Sequence, residues 1–155
     1  MQVLQRCNFS VKEDQLICLG DYVDGWSQTA EVIEYLLKLE EECVHKPIFL
    51  RGNHDAWCQE WLNFGIAKDI WVVQGGKATI DSYIRTGLLT DKRHKEFFNK
   101  LHNYYVDEEN RGFVQSAVFL LSSSSASATL ICPNMSPRFI FLFFHLKSAL
   151  LGCQW

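Results

Sequence analysis

The sequence lacks an excess of basic residues. Its 15 lysines and arginines are outnumbered by 18 aspartates and glutamates, which gives a formal net charge of -3. Proteins that bind nucleic acid or an anionic membrane through bulk charge carry a basic surface. We therefore expect neither nucleic acid nor a membrane as a partner of this chain.

Closely paired cysteines are also missing. The chain has six cysteines, but no two of them stand in a C-x-x-C pair. A secreted scaffold held by disulfides is usually shorter and richer in cysteine than this chain. This composition predicts reduced cysteines and a cytoplasmic location.

Long hydrophobic runs are absent as well. The most apolar segment, residues 138–152, is interrupted by His145 and Lys147, and a membrane-spanning helix needs roughly 20 apolar residues. The first 15 residues contain no apolar run of the kind found in a signal peptide. These features predict neither a membrane span nor a signal peptide.

The first half of the chain has a regular order of elements. Residues 15–20 are typical of a short buried strand, and a polar loop follows. From Thr29 onward, apolar residues recur at helical spacing, and after Pro47 a second short apolar run covers residues 48–52. This order predicts a βαβ unit with parallel strands, within an α/β fold that has flanking helices.

The second half is less regular. Residues 87–105 predict a helix with Thr90 as its N-cap, and residues 111–121 predict a later strand. A serine-rich stretch then covers residues 122–129. We expect a partial α/β domain over residues 1–121, and a low-complexity linker with an irregular apolar tail over residues 122–155. His94 and His102, with lysine and asparagine around them, are expected to be solvated.

Polar side chains follow each strand of the predicted βαβ unit, in the stretches "GDYVDG" and "LRGNHD". The carboxyl ends of parallel strands share one edge of a sheet, so these stretches should meet there. Grouped carboxylates repel one another unless a cation lies among them, and two metal ions can promote phosphoryl transfer. Each stretch taken alone fits an ordinary loop, whereas the two together favour a site. The side chains concerned are Asp21, Asp24, Asn53, His54 and Asp55.

These two stretches, about thirty residues apart, resemble the calcineurin-like metallophosphoesterase superfamily. The similarity is nearest to its bacterial serine/threonine phosphoprotein phosphatases, and it covers roughly residues 15–115. It implies a hydrolase that uses two divalent metal ions (manganese, iron or zinc) and metal-bound hydroxide to cleave phosphate monoesters. The implied substrates are phosphorylated proteins, through phosphoserine or phosphothreonine, or small phosphoesters.

The resemblance also implies a role for each matching residue. Asp21 would bridge both metal ions, and Asn53 would bind the second ion through its amide oxygen. His54 would act as the general acid that protonates the leaving group, and Asp24 would hold His54 by a hydrogen bond. Arg51 would contact the phosphate, the alternative being an exposed arginine at the end of a strand. Asp55 is expected to support the loop through hydrogen bonds.

The sequence departs from the family pattern in several places. The D-x-H motif that precedes "GDYVDG" in the family is absent, Gly25 stands where eukaryotic relatives carry arginine, and the later histidine motifs are missing. Only Asp21 and Asn53 match metal-ligand positions, so we expect a fragment with impaired activity. The alternative is a non-catalytic remnant that binds metal or phosphate weakly.

Overall fold

The computed structural model describes residues 2–108, 112–113, 131–132 and 138–142. A kinked segment, Val72–Gly76, joins the fourth helix to the fifth, and Gly75 within it has a non-helical φ of 117°. The helices are α1 (Gln2–Arg6), α2 (Thr29–Glu42), α3 (Asn53–Phe64), α4 (Asp69–Trp71), α5 (Lys77–Thr86) and α6 (Lys92–Lys100). The strands are β1 (Asp14–Cys18), β2 (Ile48–Phe49), β3 (Tyr105–Val106), β4 (Gly112–Phe113), β5 (Ile131–Cys132) and β6 (Arg138–Leu142).

The main sheet has the strand order β2-β1-β6-β5. Strands β1 and β2 are parallel, with Ile17 opposite Ile48 and Cys18 opposite Phe49. Helix α2 connects them, so the predicted βαβ unit is present. The prediction of an α/β fold with a small parallel sheet and flanking helices is therefore confirmed.

Helix α2 forms because its apolar residues recur every three or four positions. Ile33, Leu36 and Leu39 are buried, together with Thr29 and Ala30 at the first turn. This face joins the main core, which also contains Leu16 and Cys18 of β1. The buried face fixes α2 against the sheet and therefore sets the distance between the loops at its two ends.

Strand β6 extends the sheet on the side of β1 that faces away from β2. It pairs with β1 in parallel, with Leu16 opposite Ile140, and it pairs with β5 in antiparallel. The sequence of residues 138–142 does not alternate between apolar and polar side chains. Such a run cannot be told from an irregular apolar segment by periodicity. The division of the chain at residue 121 stays a prediction.

The last predicted helix is shorter than the sequence pattern indicates. Helix α6 covers Lys92–Lys100, and its N-cap is Asp91, whose carboxylate accepts a hydrogen bond from the Arg93 N–H at 2.8 Å. Thr90 lies in a 3-10 turn instead, so the predicted cap was wrong by one residue. Of the strand predicted over residues 111–121, Gly112–Phe113 is described, and the remainder lies outside the described residues.

His94 and His102 differ in burial. His102 is exposed, as expected, but His94 is completely buried. One ring nitrogen of His94 lies 2.9 Å from the Tyr83 hydroxyl, and the other lies 2.8 Å from Glu34 Oε1. The prediction of a solvated His94 was wrong, because these two partners on α5 and α2 satisfy the ring inside the core.

We expect His94→Ala to lower the free energy of unfolding by about 3 kcal/mol, because it leaves a cavity and removes two buried hydrogen bonds. The matched change His102→Ala should alter it by less than about 0.5 kcal/mol, as is usual for exposed positions. Urea unfolding of both variants measures the difference. Equal effects of the two substitutions would contradict the packing described for His94.

Four of the cysteines are free thiols: Cys7, Cys18, Cys43 and Cys58. Burial is the main cause that raises the pKa of Cys18 far above its ordinary value. Such a thiol stays protonated and packs as a small apolar group. Within the described ranges, no helix has the length and apolar character needed to cross a bilayer.

Candidate active site

The loops after β1 and β2 meet at one edge of the sheet, as the βαβ order predicts. The Leu50 N–H donates to the Cys18 carbonyl at 2.9 Å, so the parallel pairing continues beyond the end of β2. The loop after β1 carries Asp21 and Asp24, and α3 begins at Asn53 directly after the loop that follows β2. The His54 N–H lies 3.4 Å from Asp21 Oδ1, which brings the two polar stretches into contact.

Two glycines permit this contact. A Cβ placed on Gly20 would lie 2.6 Å from the Gly52 nitrogen, and a Cβ placed on Gly52 would lie 2.0 Å from Asp21 Oδ1. Neither distance leaves room for a side chain. The glycine before each polar stretch is therefore required by the approach of one loop to the other.

We expect Gly52→Ala to lower the free energy of unfolding by at least about 2 kcal/mol, because the new methyl group collides with the buried Asp21 carboxylate. Gly112→Ala is the matched control, since a Cβ there would meet no atom within 4 Å. Chemical denaturation of both variants measures the effect. A Gly52→Ala protein as stable as the control would show that the two loops do not lie this close.

Asp55 holds the two loops together from the inside. It is completely buried, and its carboxylate accepts hydrogen bonds from the N–H groups of Asp21 at 2.7 Å, Tyr22 at 2.8 Å and Gly52 at 2.7 Å. Burial raises the pKa of Asp55 to about 7, with the nearby Asp21 charge adding to the rise and these N–H groups opposing it. The expectation that Asp55 supports the loop is confirmed by these contacts.

Asp24 and His54 form the closest polar contact of the site. His54 Nδ1 lies 2.5 Å from Asp24 Oδ2, and both side chains are largely buried. Burial raises the pKa of Asp24, while its hydrogen bonds to Thr79, His54 and Trp71 lower it. Because Nδ1 is occupied by Asp24, the ring can act on a ligand only through Nε2. The predicted contact is present, and the catalytic role of the pair stays a prediction.

Asp24 has two further partners that the sequence did not single out. The Trp71 Nε1–H donates to Oδ2 at 2.7 Å, and the Thr79 hydroxyl donates to Oδ1 at 2.7 Å. The stretch "GGK" at residues 75–77 lies between these two partners in the sequence. The adjacent glycines were the available signal, because paired glycines often mark a close approach between two backbone segments.

Asp21 and Asn53 are the candidate metal ligands. Asp21 is buried at the meeting point of the loops, with a backbone φ of 56° that is uncommon for aspartate, and Asn53 is exposed at the first position of α3. Divalent cations such as manganese and magnesium bind carboxylate and amide oxygens. The side-chain oxygens of Asp21 and Asn53 are therefore suitable ligands for a hard divalent ion. They supply part of the ligand set that a two-metal centre needs.

Arg51 lies beside α6. Its backbone N–H donates to the His102 carbonyl at 2.7 Å, and its Nη2 donates to the Phe98 carbonyl at 3.3 Å. Its Nε is buried and has no hydrogen-bond partner among the described residues. The predicted contact of the guanidinium with phosphate stays a prediction.

A second group of potential metal ligands lies apart from this edge. Glu34, Asp91 and His94 bring their ligand atoms within 4.8 Å of one another. Arg93 donates through Nη2 to both carboxylates, at 2.7 Å to Glu34 and 2.7 Å to Asp91. A guanidinium already balances the charge there, so we treat this group as a contact between helices.

A family model described as calcineurin-like phosphoesterase matches residues 1–127, which include both polar stretches. No curated protein matches the chain, and no solved structure does.

Proposed function

This chain belongs to the calcineurin-like phosphoesterase family, and from that membership we propose that it hydrolyses phosphate monoesters at the edge formed by its two polar loops. The family is a class of hydrolases with two metal ions. The observation that carries the proposal is the 2.5 Å contact between Asp24 and His54, directly beside the Asp21 carboxylate. This arrangement supports a proton donor next to a metal ligand.

In this proposal, His54 is the general acid. Asp24 accepts the hydrogen bond from Nδ1–H and stabilises the protonated ring, which leaves the Nε2 proton for the ester oxygen that departs from phosphorus. A general acid of this kind is most useful for alkyl esters, because an alkoxide is a poor leaving group. Phosphoserine and phosphothreonine are esters of this class, so they are the proposed substrates alongside small phosphoesters.

Asp21 and Asn53 would hold metal at this edge through their carboxylate and amide oxygens. When bound, divalent metal ions lower the pKa of water and neutralise charge on the phosphate. The ordinary candidates are manganese, iron and zinc, and manganese is the ion we propose for testing. Only these two residues match the family's metal-ligand positions, so we expect turnover to be impaired.

Two further features favour binding of the phosphate group. Helix α3, twelve residues long, begins at this edge, and a helix N-terminus favours anions through its N–H groups and dipole. Arg51 directly precedes the residue that caps α3, and its planar guanidinium suits phosphate. We propose that the phosphate group of the substrate lies between the start of α3 and Arg51.

The proposal is tested by phosphate release from an aryl phosphate, with and without manganese. We expect release that requires manganese and stops when a chelator is added. Asp21→Asn should reduce the rate by at least about ten-fold, because an uncharged amide is a poorer metal ligand. Asp81→Asn, an exposed aspartate on α5, is the matched control and should leave the rate unchanged.

The alternative function is a non-catalytic remnant that binds metal or phosphate weakly. It is favoured by the two matching ligand positions, which are fewer than a complete two-metal centre uses. Absence of manganese-dependent release in the wild type, with phosphate or metal still bound, would support the remnant. Similarity to bacterial serine/threonine phosphatases, manganese as the natural ion, a cytoplasmic location and a fragmentary chain stay predictions.

A further inference from the structure

The segment 71–79 supplies two further hydrogen-bond donors to the Asp24 carboxylate, beside its contact with His54. The Trp71 Nε1–H and the Thr79 hydroxyl each donate to Asp24 at 2.7 Å, to Oδ2 and Oδ1 respectively. The Thr79 hydroxyl also accepts a hydrogen bond from the Asp24 N–H at 3.0 Å. One side chain therefore fixes both the carboxylate and the backbone of Asp24.

These contacts determine where the carboxylate points. Asp24 Oδ2 is shared between the Trp71 Nε1–H and His54 Nδ1, while Oδ1 is occupied by Thr79. A carboxylate held at both oxygens cannot rotate without breaking a buried hydrogen bond, which costs about 1–3 kcal/mol. Trp71 and Thr79 therefore influence the orientation of the His54 ring through Asp24, in addition to the edge-on contact of that ring with Trp57 at 5.2 Å.

The packing of the segment keeps both donors in place. Trp71 is completely buried, and its ring lies 5.8 Å from the ring of Trp61. A Cβ placed on Gly76 would lie 2.5 Å from the Trp71 ring, and one placed on Gly75 would lie 3.3 Å from the Asp24 Cβ. Gly75 and Gly76 therefore allow the segment to lie directly against the side chains of Asp24 and Trp71.

We propose that Trp71 and Thr79 are positioning residues for the general acid His54. The inference rests on the proposed function. In the reaction, the oxygen of water bonds to phosphorus, the phosphorus–ester oxygen bond breaks with its electron pair on the ester oxygen, and the Nε2 proton of His54 moves to that oxygen. The water gives up a proton to solvent, and solvent returns one to His54. Trp71 and Thr79 keep Nε2 aimed at the departing oxygen by holding Asp24 against Nδ1.

The first test compares two esters that differ in how much they need an acid. An alkyl phosphate such as phosphoserine requires protonation of its leaving group, whereas dinitrophenyl phosphate does not. We expect Thr79→Val and Trp71→Phe to lower kcat on the alkyl ester by about ten-fold or more. On the activated ester they should lower it by no more than about two-fold.

Two controls separate positioning from folding. Thr79→Ser keeps the hydroxyl and should retain most of the wild-type rate on the alkyl ester. Thr86→Val makes the same change on the same helix at a hydroxyl that bonds only to backbone carbonyls of α5, and it should have no effect. Equal losses on both esters, or a Thr79→Ser variant as slow as Thr79→Val, would overturn the proposal.

A second test does not require turnover. In the metal-free protein, the nitrogen NMR resonances of the His54 ring report which nitrogen carries the proton. We expect Nδ1 to carry a proton in the wild type and in Thr79→Ser, and a changed Nδ1 signal in Thr79→Val and Trp71→Phe. If the wild type hydrolyses neither ester, the proposed function fails, and unchanged His54 signals in both variants would overturn the positioning role separately.

Discussion

His54→Ala is expected to lower phosphate release from an alkyl ester by about 10²–10⁴-fold, the usual contribution of a general acid. The expected loss is large because His54 Nδ1 is held by Asp24, so that in the proposed mechanism Nε2 would face the leaving oxygen. The loss on dinitrophenyl phosphate should be much smaller, since that leaving group departs without a proton. Initial rates on the two esters, measured with saturating manganese, check this prediction.

His45→Ala is the matched control for that measurement. His45 lies between α2 and β2, at the end of β2 that is remote from the two polar loops, so its removal should leave both rates unchanged. A His54→Ala protein that loses the same factor on both esters would show that the residue supports the site only structurally. One that keeps its rate on the alkyl ester would show that His54 is not the proton donor.

Asp55→Asn is expected to be the most destabilising single change in the site, lowering the free energy of unfolding by about 3 kcal/mol. The two oxygens of the Asp55 carboxylate accept hydrogen bonds from three backbone N–H groups. An asparagine amide offers one oxygen and one NH₂ group, so at least one buried N–H would face another donor. For a domain of this size, the midpoint of thermal unfolding should fall by roughly 6–12 °C.

Thermal unfolding of Asp55→Asn beside Asp81→Asn measures this loss. Asp81 forms an exposed ion pair with Lys77, and such pairs contribute no more than about 1 kcal/mol. The control should therefore unfold close to the wild-type midpoint. If Asp55→Asn unfolded at the wild-type midpoint too, the three hydrogen bonds would not be what joins the loops.

The βαβ unit could be predicted from the sequence because each of its elements has its own local signal. The helical spacing of Ile33, Leu36 and Leu39 marked α2, and the short apolar runs around it marked the strands. Parallel strands place their carboxyl ends together, so the approach of Asp21 to His54 followed from topology alone. Gly20 and Gly52 gave a further sign, because a glycine before a polar cluster indicates close backbone approach.

The residues that hold Asp24 could not be predicted in the same way. Trp71 and Thr79 reach Asp24 from 47 and 55 residues away along the chain. A tryptophan in an apolar run and a threonine on a helix give no local sign of such a contact. Strand β6 escaped prediction for a similar reason, since pairing partners distant in the chain, and not periodicity, decide whether an apolar run becomes a strand.

The burial of His94 shows that the burial of a single polar residue cannot be predicted from its neighbours in the sequence. Lysines and asparagine around it in the sequence favour an exposed helix face, yet Tyr83 and Glu34 satisfy its ring within the core. Whether a histidine is buried depends on which partners other helices bring to it. That information lies in tertiary packing, outside the reach of any local pattern.

We propose that the edge holding Asp21 and Asn53 is the metal-binding part of a phosphoesterase site. Calorimetric titration of manganese into the wild type and into Asp21→Asn tests it most directly, since it needs neither substrate nor turnover. We predict binding by the wild type that is weakened at least about ten-fold in Asp21→Asn. No binding by the wild type, or equal binding by the two proteins, would contradict the claim.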